Sequence, residues 1–369
     1  MLGQHLRAIA YLTLTLAAGV ALTACGGNGN SGAPAASGSD TSDKIAATLI
    51  TKDNINPFFI TMQQGAKEAG SKNGVDITLA AGAKDGDEEG QVKAIEAAVA
   101  RGDQGILITP SGPGVNSAIE SARAAGLYVI ALDTPPNPAD TVDITFATDN
   151  FKAGELIGKW AAAQQDGKPA KIALLNQFND KVVSVDVARD QGFLTGMGID
   201  TKDKAKNGDE DQTGRYAGGK GGNYQIVCNE PTGGAQDEGK TAMETCLAKT
   251  KDINLVYTIN EPAAGGAEQA LKDAGVTATI VSVDGACSPG LELVKSGAIG
   301  ATSQQYPLKM AQLGVEAIAK IARGEEKPAV TPGLDFYDTG VALVTDKKVE
   351  GLDSISVAEG DKLCWGSSK

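Results

Sequence analysis

Histidine is almost missing from this chain. One of 369 residues is histidine, His5, and it precedes an apolar run that reads as an export signal, so the exported form is expected to carry none. That excludes Ser-His-Asp and Cys-His catalysis, histidine zinc sites and a histidine general base. Positive charge is also short: 33 Lys and Arg face 46 Asp and Glu, a net charge of −13. This argues against nucleic acid or an anionic membrane surface as partner. Aromatics are only 4%. No C-x-x-C pair occurs, so a cysteine zinc site is not expected. No G-X-Y period accompanies the 47 glycines, which excludes collagen. What is there is a 41% hydrophobic content, enough for a sizeable core, and a length that suggests two or three domains.

The N-terminus reads as a signal peptide over residues 1–24. Ala8 to Leu22 is an uncharged apolar run of 15 residues, too short for the roughly 20 that span a bilayer and suited to a signal h-region. It ends in Leu22-Thr23-Ala24-Cys25, which resembles a bacterial lipobox with Cys25 as the lipidated residue. An ordinary secretory signal that happens to contain a cysteine is the alternative. Residues 26–43 contain no large apolar side chain and read as a flexible linker with an r.m.s. reach of roughly 24 Å. The expected location is the outer face of the cytoplasmic membrane, held by lipid alone.

Four other cysteines remain: Cys228, Cys246, Cys287 and Cys364. An even number in an exported chain suggests disulfides, with three possible pairings. Cys228 at a strand end and Cys246 on the following helix favour that pair, which leaves Cys287–Cys364 to staple the C-terminal tail. Free buried thiols are the alternative.

From residue 44 short β-branched runs alternate with alanine-rich helical stretches. Strands are expected at 44–51, 75–81, 105–110, 127–133, 143–148, 170–177, 224–230, 253–260, 277–284 and 298–305. Runs such as Gly105-Ile-Leu-Ile and Tyr128-Val-Ile-Ala-Leu suit strands buried on both faces, hence parallel sheets covered by helices. The fold class is therefore α/β. Ten strands divide best into two lobes with a break near residue 149. The glycine- and charge-rich stretch 201–223 reads as a surface insertion. Phe336-Tyr337 and Gly340-Val-Ala-Leu-Val read as short strands of a C-terminal tail.

Ligands of open α/β sheets bind beyond the carboxyl ends of the strands. Those positions carry Asn56-Pro57-Phe58-Phe59, Thr109, Asp133-Thr134, Thr148-Asp149-Asn150, Asn260-Glu261, Asp284-Gly285 and Gln305-Tyr306. Carboxylates and carboxamides match the paired donor and acceptor character of sugar hydroxyls, and an aromatic face matches the apolar face of the ring. Each has a plainer reading. Asn56 before Pro57 makes a good N-cap, Phe58 and Phe59 suit a core, Asp133 and Asp284 suit helix caps, and Arg189 suits a surface ion pair.

Two motifs look like chemistry and are not expected to perform it. Gly234-Ala-Gln-Asp-Glu-Gly239-Lys240-Thr241 satisfies the P-loop spacing, yet Asp237 and Glu238 would oppose phosphate inside the cradle. Asp85-Gly-Asp87-Glu-Glu89-Gly90 with Glu96 approaches a calcium loop; acids favouring a helix N-terminus explain it better.

Taken together, Asn56-Pro57-Phe58-Phe59, Leu132-Asp133-Thr134-Pro135, Thr148-Asp149-Asn150, Asn260-Glu261-Pro262, Val283-Asp284-Gly285 and Gln305-Tyr306-Pro307 resemble the ribose/galactose-type sugar-binding proteins of bacterial ABC importers. The resemblance covers about 44–365. Phe146-Ala-Thr-Asp-Asn-Phe, Val187-Ala-Arg-Asp-Gln-Gly-Phe and the closing Cys-Trp-Gly are similar to the fructose-binding branch. Thr134 and Thr109 stand where ribose binders carry Arg and Asn.

The resemblance implies a type I periplasmic binding protein: two Rossmann-like lobes with parallel sheets, joined by a three-segment hinge. The first lobe would be 44–148 plus 306–334, the second 149–305 plus 335–369. It implies ligand contacts at Asn56, Phe58, Phe59, Asp133, Asp149, Asn150, Arg189, Asn260, Asp284 and Gln305, without cofactor, metal or catalysis. The partners would be a monosaccharide, fructose first, and a membrane permease driven by a cytoplasmic ATPase. The chain would act as a monomer. A sensor module feeding a membrane receptor and a carboxylate-based glycosidase are the rival readings. A sugar-responsive repressor is set aside by the export signal.

Overall fold

A computed structural model describes residues 45–366. The signal segment, Cys25 and the linker lie outside the described residues. Among those described, no helix is long and apolar enough to cross a membrane.

The first run of alternating elements is β1 (Ile45–Thr51), α1 (Pro57–Asn73), β2 (Val75–Ala81), α2 (Glu88–Arg101), β3 (Gly105–Ile108), α3 (Asn116–Ala124), β4 (Tyr128–Leu132) and β5 (Ile144–Ala147). The second is α4 (Asn150–Gln165), β6 (Ala170–Asn176), α5 (Ser184–Met197), β7 (Thr213–Tyr216), β8 (Gly222–Pro231), α6 (Gln236–Lys249), β9 (Leu255–Thr258), α7 (Glu261–Ala274), β10 (Thr279–Asp284), α8 (Glu292–Ser296) and β11 (Ala301–Gln304). The chain closes with α9 (Pro307–Ala322), β12 (Tyr337–Asp338), β13 (Ala342–Val344) and α10 (Val357–Gly360).

Two sheets result. The first runs β12-β5-β4-β3-β1-β2, with every pairing parallel. The second runs β13-β11-β10-β9-β6-β8-β7, parallel except at its two edges. Both are covered on both faces. Leu49 and Leu107 pack under α1 and α9, while Ile50, Ile106 and Ile108 pack under α2 and α3. In the second sheet Ile172 and Leu174 meet α4 and α5, and Ala173 and Leu175 meet α6 and α7. Burial on both faces is why these strands read as unbroken apolar runs.

Each of the ten expected strands is present. The stretch 201–223 is largely exposed, as a surface insertion should be, and within it Thr213–Tyr216 forms β7, antiparallel to β8, with buried Tyr216 donating its hydroxyl to the Lys168 carbonyl at 2.7 Å. The tail differs from expectation. Residues 335–369 were expected wholly with the second lobe, but Tyr337 and Asp338 pair with Phe146 and Ala147 of β5 in the first sheet. Phe146 and Tyr337 lie ring to ring at 5.4 Å, which fixes that edge. Only beyond Gly340 does the tail join the second sheet, through β13.

The chain thus passes between the sheets three times: after β5, after β11, and between β12 and β13. The crossings are tied together. The Asp338 carboxylate accepts the amides of Asp149 (3.3 Å) and Gly340 (2.8 Å), and Thr148 Oγ1 donates to the Gly340 carbonyl at 3.3 Å. The remaining crossing, at Gln305, is held by Trp365, whose indole N–H donates to the Gln305 carbonyl at 2.8 Å.

Both expected disulfides form, Cys228–Cys246 with Cα atoms 5.6 Å apart and Cys287–Cys364 at 5.0 Å. The second clamps the tail beside Trp365. Cys287 N–H donates to the Trp365 carbonyl at 2.8 Å.

Candidate ligand-binding site

The carboxyl ends of both sheets face a narrow cavity between them. It is lined by Lys52, Asn56, Phe58, Phe59, Asp85, Asp133, Gln177, Val185, Arg189, Ile259, Asn260, Asp284 and Gln305. Its volume is about 30 Å³, so entry of anything much larger than water requires the sheets to part. Roomier hollows, of about 880, 720, 650 and 490 Å³, lie elsewhere on the surface. None of them gathers the buried charge found here.

Arg189 is the centre of the charge. It is buried on α5 although it carries a full guanidinium. Its Nε donates to Asn150 Oδ1 at 2.7 Å and its Nη1 to the Ile259 carbonyl at 2.9 Å. Nη1 lies 3.6 Å from Asp284 Oδ1 and Nη2 4.0 Å from Asp133 Oδ1. One planar fork therefore faces an acid from each sheet.

Glycines set the position of Arg189. Gly154 and Gly158 of α4 meet Gly192 and Gly196 of α5. A Cβ on Gly154 would lie 2.1 Å from the Arg189 carbonyl oxygen, and one on Gly192 would lie 2.2 Å from that of Phe151. Backbone packs on backbone, which brings α5 close enough for Arg189 to reach Asn150.

The acids are aimed by unusual backbone. Asp133 has φ 64° and Asp284 φ 141°, a region that costs a non-glycine residue about 1–3 kcal/mol and gathers at functional sites. Asp284 Oδ1 accepts Gln305 Nε2 at 2.8 Å, and Asp133 Oδ2 accepts the Thr134 hydroxyl at 2.8 Å. Asp133 Oδ1 and Gln305 Oε1 are buried without a hydrogen-bond partner. Burial pushes the Asp284 carboxyl up from the usual range, and Arg189 opposes that. Behind it, Glu261 accepts the amides of Gly285 (2.8 Å) and Ala286 (3.0 Å) and the Thr302 hydroxyl (2.7 Å), which holds the turn after β10. Burial first, then Asp284, pushes Glu261 up as well.

Asn56 takes both roles open to it: Oδ1 caps α1 by accepting Phe58 N–H at 3.0 Å, and the side chain lines the cavity. Asn260 likewise caps α7 through Ala263 N–H at 3.1 Å and donates to the Gly234 carbonyl at 2.9 Å. Phe58 and Phe59 stand edge to face at 5.4 Å; both are buried in the first core and both line the cavity.

Two expected contacts are placed elsewhere. Asp149 caps α4, its Oδ1 accepting Lys152 N–H at 2.9 Å, and does not line the cavity. Asn150 sits behind Arg189 and orients it, its own Nδ2 bonded to the Thr148 carbonyl at 3.1 Å.

Lys52, Asp85, Gln177, Val185 and Ile259 were missed. Lys52, Asp85 and Gln177 follow β1, β2 and β6, so the strand-end rule applied to every strand finds all three. Asp85 also opens the calcium-like motif. There Asp87 caps α2 through Gly90 N–H at 3.0 Å, and Glu88 accepts Gly114 N–H at 2.9 Å. Among the described residues no group of acids, His or Cys is disposed to hold a metal ion. In the P-loop-like motif Lys240 pairs with Asp273 at 2.8 Å, turned to a carboxylate on the neighbouring helix.

Residues 45–326 match the periplasmic binding protein domain. The chain belongs to that family. Among similar proteins of the family, the ribose import binding protein of Haemophilus influenzae is 28% identical over 82% of this chain and 93% of its own length. The D-apiose import binding protein of Actinobacillus succinogenes is 28% identical over 76% and 83%. The solved structure of an ABC transporter solute-binding protein from Agrobacterium vitis with bound D-fucose is 25% identical, with TM-score 0.70 over 87% of this chain and all of that one. The two-lobed α/β architecture is that of the type I periplasmic binding proteins.

Proposed function

We propose that this protein is the solute-binding component of an ABC-type sugar importer. It takes one neutral monosaccharide into the cavity between the lobes and delivers it to a membrane permease driven by an ATPase. The lobes would be 44–148 with 306–334, extended by the β12 pairing, and 149–305 with the rest of the tail. Asn56, Phe58, Phe59, Asp133, Arg189, Asn260, Asp284 and Gln305 would contact the sugar. Asp149 and Asn150 would serve the hinge and Arg189 in place of direct contact.

One observation carries the reading. The Arg189 fork faces an acid from each sheet, and buried oxygens of Asp133 and Gln305 beside it lack partners. Such atoms are costly to bury, and ligand hydroxyls would satisfy them while Phe58 and Phe59 pack the ring. Relatives named for ribose and D-apiose import support a sugar as the class. Fructose is our first choice of cargo. Export and anchoring through Cys25 complete the proposal, with the chain acting as a monomer and without catalysis.

The experiment is a thermal-shift panel on residues 26–369 with fructose, ribose, galactose, xylose, glucose and inositol. Ligand at 100 times Kd adds about 2.7 kcal/mol. A rise of several degrees with fructose alone supports the full reading. A rise with another sugar keeps the function and changes the cargo. No rise with any of them removes the monosaccharide reading.

A further inference from the structure

The cavity has a second polar end that the Arg189 cluster does not explain. Lys52 follows β1, Asp85 stands between β2 and α2, and Gln177 follows β6, so first- and second-lobe elements meet there. The Lys52 side chain is only 2% exposed, with Nζ 3.6 Å from Asp85 Oδ2. Gln177 Nε2 donates to the same Asp85 oxygen from the opposite lobe. Nearby, Lys181 Nζ donates to the Gly86 carbonyl at 3.1 Å, a second contact across the lobes.

Two acceptors remain over. Asp85 Oδ1 and Gln177 Oε1 are buried and have no hydrogen-bond partner, although the Asp85 side chain is only 10% exposed and Gln177 only 4%. The Lys52 ammonium has three N–H bonds and one carboxylate neighbour among them. A hydroxyl both donates and accepts, so one placed here can donate to Asp85 or Gln177 while it accepts from Lys52. Lys52 and Asp85 neutralise each other. A ligand carboxylate or phosphate would meet the charges of Asp85 and Asp133 without a spare cation to answer it.

We propose that Lys52, Asp85 and Gln177 form a second hydroxyl-binding end of the cavity, and that this end selects among neutral monosaccharides. The Arg189 end then supplies affinity common to all of them. The proposal rests on the sugar-binding reading above.

The test is calorimetric titration of the wild type and of Asp85→Asn, Gln177→Ala and Lys181→Ala with the same six sugars. The readout is the affinity ratio of the two best sugars, or its limit where the second is undetectable. Circular dichroism melts confirm that each variant folds, and Gln177→Glu stands in if Gln177→Ala does not. Asp85→Asn and Gln177→Ala are expected to change the ratio tenfold or more. Lys181→Ala breaks a lobe contact without entering the cavity, and should weaken all sugars by one factor. If Asp85→Asn and Gln177→Ala also scale all sugars equally, up to complete loss, the trio serves closure alone and the proposal is overturned. An unchanged ratio overturns it too. A wild type that binds none of the six overturns the sugar-binding reading itself, and this inference with it.

Discussion

Trp365 and Phe58 meet edge to face with ring centroids 5.2 Å apart, although one lies in the tail and the other opens the first helix. The same indole donates to the Gln305 carbonyl, and the Trp365 backbone bridges to Ala286 just after β10. One residue of the tail thus touches a cavity-lining aromatic and a hinge crossing through its side chain, and the turn after β10 through its backbone. Trp365→Phe keeps the packing and loses the hydrogen bond, with an expected cost of about 1 kcal/mol. Trp365→Ala is expected to cost about 3 kcal/mol or more in stability, and at least tenfold in ligand affinity because Phe58 and Gln305 lose their support. Denaturant melts and calorimetry would separate the two effects. Wild-type affinity in a folded Trp365→Ala variant would show that the contact is only structural.

The two disulfides should therefore behave differently. Cys228–Cys246 joins β8 to α6, away from the cavity lining. Replacing both cysteines with serine should lower stability by about 3 kcal/mol, as expected for a loop of this size, with ligand affinity unchanged. Cys287–Cys364 adjoins Trp365, so the same replacement there should lower stability and weaken ligand binding together. Equal affinities for the two double variants would break the link between the tail clamp and the site.

Gly154→Ala is the sharpest test of how Arg189 is placed. The new methyl would be forced against the Arg189 carbonyl. The helices must separate, at a cost of about 1–3 kcal/mol, and Arg189 must retreat from Asp133 and Asp284. Arg189→Lys leaves the helices alone and keeps the charge, but loses the fork. Both are expected to weaken sugar binding by tenfold or more, with a drop in melting temperature of several degrees for Gly154→Ala. Unimpaired binding by Arg189→Lys would reduce Arg189 to a simple point charge.

The alternation of βα units and most of the site could be read from the sequence because each depends on local pattern. Buried parallel strands advertise themselves as apolar runs, and strand ends mark where ligand groups can stand. What escaped depended on contacts remote in sequence. Asp149 at a strand end looks no different from Asp133; only the fold shows that its carboxylate turns back onto α4 while Asp133 is swung inward by a left-handed backbone. Asn150 gained its role from Arg189, 39 residues away. Tyr337 joined the first sheet through an aromatic contact with Phe146 that no nearby pattern encodes. Asp85 was legible as a strand-end acid, but a stronger-looking motif claimed it.

Asp186 gives the fold a pH dependence of unusual sign. Burial pushes its carboxyl up to about 6 from 3.8, against two backbone amides, of Gln177 and Phe178, and the charges of Lys52 and Arg189. A carboxyl whose pKa is higher folded than unfolded holds its proton better in the native state. Its ionisation therefore penalises folding above about pH 6, and the penalty fades as pH falls from 6 towards 4. At about 1.4 kcal/mol per unit, the shift corresponds to about 3 kcal/mol. Asp87, Glu155, Asp166 and Glu359 have lowered pKa values, so their stabilisation is complete only above the ordinary 3.8 and 4.5 and is lost as pH falls below them; the Asp186 effect is therefore read between pH 5 and 7, above that opposing slope. Ligand-free protein is thus expected to melt higher at pH 5 than at pH 7. Asp186→Asn removes the titrating group and should flatten that slope, and melts of both proteins from pH 5 to 7 would measure it. Parallel slopes for wild type and variant would assign the dependence to the other buried carboxyls with raised pKa values, Glu261, Asp284, Asp190 and Asp85, which are the next to replace.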